Sequence, residues 1–269
     1  MPESTLALTY NDLTGEVGSF LGFGRGALNG DQAWTTQQQN RIDSFVKSGL
    51  SRFYFPDPVQ GQTTGHSWSF LHPTTQLVLV SGKNTVQMPD DFGGFEGQLN
   101  LAPINQQTWW PIKLFNEGML NEAYAKLPTL SSRPQMAAVQ WKKGTTATSG
   151  QRANLFFYPI PDQNYTLLFQ YYINPDYLSG AFPYPLGGAQ HAETIKEACL
   201  AAAEELFDDM AGVHAQRFNT RLMAAIAMDQ KNKAISLGYN RDDSDGWYGW
   251  NNRWNHGLSP ITFSDAGNQ

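Results

Sequence analysis

The feature that most constrains this chain is a double change in the spacing of its apolar residues. Near the N-terminus they step at three and four, the helical period: Leu13, Val17, Phe20 and Leu21, then Ile42, Phe45, Val46, Leu50 and Phe53. From about residue 65 to 175 the runs become short or alternating, separated by Pro, Gly and Asn, as strands require. From Ala189 the helical step returns, with Ile195, Ala198, Cys199, Ala202, Leu206, Met210 and Val213 forming one stripe. Phe218, Leu222, Ala225 and Ile226 continue it.

Local signals place the boundaries. Thr9 is the expected N-cap of the first helix and Thr35 or Thr36 that of the second, which Pro56 and Pro58 stop. Strands are expected at "WSFLH", "TQLVLVS", "NTVQMP", "GFEGQLNLA", "TWWPIKLF", "QMAAVQW", "ANLFFYP" and "YTLLFQYYI". One short helix, "EGMLNEAYAKL", interrupts them, and "KKGTTATSGQR" reads as an exposed hairpin loop. Gly212 kinks or divides the long C-terminal helical segment. The fold class is therefore α+β: a helical bundle built from the N- and C-terminal helices, an inserted β-rich domain and an extended C-terminal arm. The expected divisions are 1–60, 61–185, 186–237 and 238–269.

Composition narrows the function. Charged residues are only 16% of the 269, aromatics reach 13%, and the formal net charge is −6. Gripping phosphates needs clustered Lys and Arg, so general nucleic-acid binding is disfavoured. A surface that DNA slides past without sticking is still compatible. The single cysteine, Cys199, excludes an intrachain disulfide and reads as a buried structural thiol. No secretory leader or run of ~18 apolar residues is visible, so a cytoplasm-like site of synthesis and no membrane partner are expected.

Each chemical motif has a plainer account. His66, His72, His191, His214 and His256 lack the i, i+3 or i, i+4 partners of a helical metal pair, so scattered surface or packing roles are expected. "GFGRGA" (residues 22–27) follows a helix where a dinucleotide loop needs a strand, so its glycines read as a helix end and turn. In "RDDSDG" (241–246), Asp243 and Asp245 fit a calcium loop. Its first and twelfth positions, however, are Arg241 and Asn252, and a solvated acidic turn fits better, weak cation binding being the alternative. The acid pairs Asp90–Asp91, Glu204–Glu205 and Asp208–Asp209 fall in a turn or on the expected solvated face of a helix. No hydrolase elbow, Walker loop or kinase signature is present. Neither catalysis nor a cofactor is expected.

Three stretches carry a family resemblance: "GLSRFYFP" (49–56), "LFFYPIPDQNYTLLFQYYINPDYLSG" (155–180) and the closing helices "EACLAAAEELFDDMAGVHAQRFNTRLMAAIAMD" (197–229). In this order they resemble the head–tail adaptor (connector) proteins of tailed bacteriophages, particularly the podovirus-like type. The resemblance covers about residues 5–235. It implies a structural virion protein: a homo-oligomeric ring of twelve subunits between portal and tail, contacting portal and tail or nozzle proteins. Double-stranded DNA would pass non-specifically through its channel. The family commonly extends a C-terminal arm onto the portal. Here "GYNRDDSDGWYGWNNRWNHG" (238–257) has no period of its own but carries Trp247, Tyr248, Trp250, Arg253 and Trp254, the residue types that anchor interfaces. These five are the expected portal-binding residues. Two other classes stay open at this point: a carbohydrate-interacting tail protein, lectin-like or hydrolytic, and a stopper or head-completion protein.

Overall fold

The computed structural model describes residues 3–58, 64–104, 110–144, 150–208 and 212–232, and Met1–Asn232 forms a compact unit. Two helices open it, α1 (Tyr10–Phe20) and α2 (Thr36–Tyr54). Seven strands surround one further helix: β1 (Thr74–Leu79), β2 (Thr85–Gln87), β3 (Phe92–Leu101), β4 (Lys113–Leu114), α3 (Glu117–Lys126), β5 (Met136–Lys142), β6 (Arg152–Tyr158) and β7 (Tyr165–Ile173). Helices α4 (Ala192–Asp208) and α5 (Val213–Asn232) close the described chain. The α+β class is as the sequence predicts.

The helix ends follow the local code. Thr9 and Thr35 are the N-caps, each in a reciprocal capping box, with Asp12 and Gln38 at the third helical position. At the end of α1, the Gly22 amide donates to Ser19 O and the Phe23 amide to Gly18 O. This is the doubled closure that needs a left-handed residue, and Gly22 supplies it at φ 76°. The "GFGRGA" run is thus a helix end, as its position after a helix implies.

Helix α4 is the centre of the helical part, packing on α1, α2 and α5. Ala198, Cys199, Ala201, Ala202 and Ala203 are all buried, so the middle turns of the helix are enclosed on every side. Small side chains allow this. At Gly49 of α2, an added Cβ would stand 2.6 Å from Cys199 N and 2.9 Å from Ala198 C, so the backbones meet nearly in contact. The Cys199 thiol lies buried against Val46 O, and burial pushes its pKa up to about 12.

The strands form two sheets, ordered β1-β7-β3 and β2-β6-β5-β4. Among the described strands, only β4 runs parallel to its neighbour, β5. Alternation sets the inner faces. Leu79, Leu167 and Phe169 of one sheet and Ala137, Leu155 and Phe157 of the other join the same core as the helical residues Leu13, Ile42, Phe53, Ile195 and Ile226. The outer face of the second sheet is covered by α3, where Leu120 packs on Met136, Ala138, Phe156 and Tyr158.

Four expectations are corrected. "WSFLH" is not a strand: Ser69–Leu71 form a 3-10 turn, because the Trp68 indole is fully buried and donates to Phe53 O at 2.7 Å. "TWWPIKLF" keeps only the two ladder residues of β4 among those described. The C-terminal segment divides before Val213, as Gly212 implies, but Leu206 and Val213 are more than half exposed instead of sharing the buried stripe. Glu204 is buried, not on a solvated face. Met210, Asp209 and the tip of "KKGTTATSGQR" fall outside the described residues.

Candidate partner interface

The five expected anchors, Trp247, Tyr248, Trp250, Arg253 and Trp254, lie outside the described residues, as do the acidic turn and His256. What is described is the body that carries them, ending with α5 at Asn232. That helix buries Phe218, Leu222, Ala225, Ile226 and Asp229, spaced at three and four, and leaves Met223 and Met228 exposed.

Asp229 ties the last turn of α5 to the segment that enters the β-region. One carboxylate oxygen accepts from Ser69 Oγ at 2.5 Å, and the other from His66 Nε2 at 2.9 Å. The Ser69 amide donates to both at 3.2–3.3 Å. Burial alone would raise the Asp229 pKa. The Ser69 and His66 hydrogen bonds outweigh it and leave the carboxyl below its ordinary value. Beside this network lies an aromatic cluster. His191 packs tilted or edge-on at 5.2–5.7 Å among Phe53, Trp68 and Phe70, is buried, and has no hydrogen-bond partner on either ring nitrogen. Burial lowers its pKa, against a smaller pull from Asp229, so the ring is neutral at pH 7.

The other end of α5 is fixed by α4. Glu204 accepts from the amides of His214 and Ala215 at 3.0 and 3.2 Å, as an N-cap side chain would. Its carboxylate fills the space where a Cβ at residue 212 would stand, which explains the glycine there. Glu197 pairs with His214 Nδ1 at 2.8 Å. Three further acids of the paired motifs are also engaged. Asp90 meets Arg152 at 3.0 Å, Asp91 accepts from Tyr171, and Glu205 meets Arg52 at 2.5 Å.

Within this network Ser69 and His66 both bond to Asp229, while Ser67 Oγ lies 2.7 Å from His72 Nε2 nearby. Among the described residues no three His, Cys, Asp or Glu side chains are placed to hold a metal ion. No described helix is long and apolar enough to cross a membrane.

One exposed feature escaped the sequence reading. The loop after β7 carries Phe182, 74% exposed, and Tyr184, 45% exposed. The loop is held, not loose: the Tyr10 amide donates to Pro183 O at 2.6 Å and the Ser179 amide to Phe182 O at 3.1 Å. Tyr177, earlier in the loop, packs edge-on against Tyr10, and the Lys47 ammonium sits 4.3 Å from its ring centre. Tyr10 donates to Asp43 at 2.6 Å; burial, with that carboxylate beside it, raises the hydroxyl's pKa. The signal was available in "AFPYPLGG", where two aromatics alternate with prolines that cannot pair in a sheet interior.

Comparison with curated proteins gives no match. Comparison with family models matches residues 8–268 to the SU10 adaptor protein family, a span that takes in the described helices, both sheets and the aromatic C-terminal segment. With nearly the whole chain covered, in keeping with a structural phage head–tail adaptor, the protein belongs to the SU10 adaptor protein family.

Proposed function

We propose that this chain is the head–tail adaptor of a tailed phage, a non-catalytic virion protein of the neck. Twelve copies form a ring between portal and tail proteins and line the channel through which double-stranded DNA passes. The observation that carries this reading is the family match reaching through the C-terminal segment to residue 268. The net charge of −6 suits a wall that phosphates slide past. The divisions 1–60, 61–185, 186–237 and 238–269 are kept as working domain boundaries. Residues 238–269 serve as the portal-docking arm, with Trp247, Tyr248, Trp250, Arg253 and Trp254 as its anchors.

The test is reconstitution. Full-length protein is mixed with portal rings and followed by mass measurement and negative-stain imaging, beside a chain ending at residue 237 and Trp250→Ala. Rings stacked on the portal are expected for the full chain. The truncated chain keeps its melting temperature but stays off the portal. Trp250→Ala weakens docking about 30-fold, the effect of losing about 2 kcal/mol at an interface anchor. A stable monomer that ignores the portal overturns the reading.

A further inference from the structure

Phe53 of α2, with Trp68 and Phe70 of the segment entering the β-region, encloses His191, which is 1% exposed. The backbone closes a further side: a Cβ at Gly187 would stand 3.1 Å from both His191 Cδ2 and Phe70 Cζ. Neither ring nitrogen of His191 meets a hydrogen-bond partner. An imidazole carries at least one N–H, so a donor is buried unbonded, a cost that phenylalanine would not incur in the same aromatic box. Packing alone therefore does not account for a histidine here. What histidine adds is a second charge state close to pH 7.

The charged and titratable groups around the cage have other partners. Asp229 of α5 attracts a charge at His191, but its carboxylate is taken by Ser69 and His66. His66, edge-on to Trp68 at 4.8 Å, bonds to Asp229. From α2, the Tyr54 hydroxyl accepts from the Leu186 amide, and burial pushes its pKa up to about 12, so it stays neutral. On α4, which His191 precedes, Glu193 holds Lys196 at 2.8 Å. Glu3 Oε1 lies 3.8 Å from where a Gly188 Cβ would stand. An imidazolium at His191 would thus be buried without an acceptor of its own. Aromatic faces attract a cation, but they replace only part of the hydration it loses. Burial accordingly lowers the His191 pKa, outweighing the pull of Asp229.

We propose that His191 is a proton-operated release for the last turn of α5. Protonation drives the ring out of its cage. Trp68 and Phe70 flank Ser69 in the chain, so opening the cage withdraws Ser69 from Asp229 and frees the end of α5. Because the folded value lies below the ordinary 6.5, the closed form is at full strength above about pH 6.5. It weakens as pH falls from there toward the folded value. The release does not depend on the adaptor reading.

The test follows amide hydrogen exchange in the full-length protein at about pH 7.5 and about pH 5.5, corrected for the intrinsic effect of pH, with His191→Phe alongside. One proton taken up on opening predicts a rise of about five- to tenfold at the lower pH for the Ser69 amide, which donates to Asp229, and for the last turn of α5. Exchange at Ala138 and Phe156, paired across β5 and β6, is expected to stay the same. His191→Phe is expected to abolish the rise and to leave Ser69 no less protected at the higher pH. Histidine side-chain NMR of the folded parent is the second measurement, with the His191 midpoint expected below the ordinary 6.5. If His191→Phe fails to fold, the parent's exchange pattern and this midpoint decide. A rise that persists in His191→Phe overturns the proposal, as does a midpoint at or above 6.5. Equal acceleration at Ala138 and Phe156 also overturns it, since acid then lowers the stability of the whole unit instead of releasing one end of α5.

Discussion

Gly49→Ala is the sharpest probe of the helical core. Taken alone, the change favours α2, since alanine is better than glycine in a helix interior by about 1 kcal/mol. Its context reverses the sign. The new methyl would stand 2.6 Å from Cys199 N and 2.9 Å from Ala198 C, closer still to Cys199 Cα, and all three are backbone atoms that no rotamer change can move. Carbon contacts settle near 3.5–4.0 Å, so α2 and α4 must part by roughly 1 Å, and a gap of that size forfeits a quarter to a half of each contact along the seam. Val46, Leu50 and Phe53, buried on α2, all pay that loss. Overpacking costs about 1–3 kcal/mol, the upper half of that range where backbone must shift; against the propensity gain of about 1 kcal/mol, a net loss of about 1–2 kcal/mol is expected. For a unit of this size that lowers Tm by about 2–8 °C. Thermal melting and urea titration measure it, with the urea slope unchanged. Gly118→Ala is the control: it is also helical but exposed, and its Cβ meets only Asn116 Oδ1 at 3.4 Å. It should stabilise by up to about 1 kcal/mol. If Gly49→Ala stabilises like Gly118→Ala, the close approach of α2 to α4 is wrong.

Other outcomes follow from the buried acids and the thiol. Asp229→Asn keeps the shape but turns an amide toward Ser69 and His66 donors, and should cost about 2–3 kcal/mol by urea titration. Because the folded Asp229 pKa is depressed, its contribution is complete above the unfolded carboxyl's value of about 4 and is lost as pH falls through the folded value. The variant should therefore lose stability less steeply than the parent in acid. Glu204→Ala removes the cap of α5 and should cost about 1–2 kcal/mol, read by the same titration. Cys199, its thiol pKa pushed up to about 12 by burial, should react with a thiol reagent only at the rate of unfolding.

How far the sequence disclosed this structure depended on what kind of interaction decided each element. Thr9, Thr35, Ile42, Phe45, Val46, Leu50 and Phe53 were legible because caps and helical stripes are local properties of the chain. "WSFLH" misled because a β-like composition was overruled by one distant bond, the Trp68 indole to Phe53 O, which folds the segment into a turn against α2. Glu204 misled for a related reason. Beside Glu205 it has the composition of a solvated face, yet its partners are amides that exist only where α5 begins. The role of Asp229 was equally hidden, because Ser69 and His66 are 160 and 163 residues away in sequence. The anchors from Trp247 to Trp254 were read from composition and position, and they lie outside the described residues.

The two carboxylates that hold α5, Glu204 from α4 and Asp229 from α5 itself, differ in what they ask of the helix. Glu204 reaches the N-terminal amides, where negative charge is favoured by the helix dipole, so it supports the helix as well as its placement. Asp229 lies in the last turn, where the dipole disfavours a carboxylate. It is also buried, which disfavours the charge again. A residue opposed on both counts is retained for its contacts, and those contacts are with Ser69 and His66 at the entrance to the β-region. Helix α5 is thereby fixed at its start by α4 and at its end by the segment leading into β1, and the position of Asn232 follows from both. An interface loses less entropy on forming when its supporting backbone is already fixed. On the adaptor reading, this predicts that Asp229→Asn weakens portal docking even though residue 229 lies nine positions before the arm at residue 238. Docking that is unaffected, at a temperature where the variant stays folded, would separate the network from the arm and leave it a stabilising contact alone.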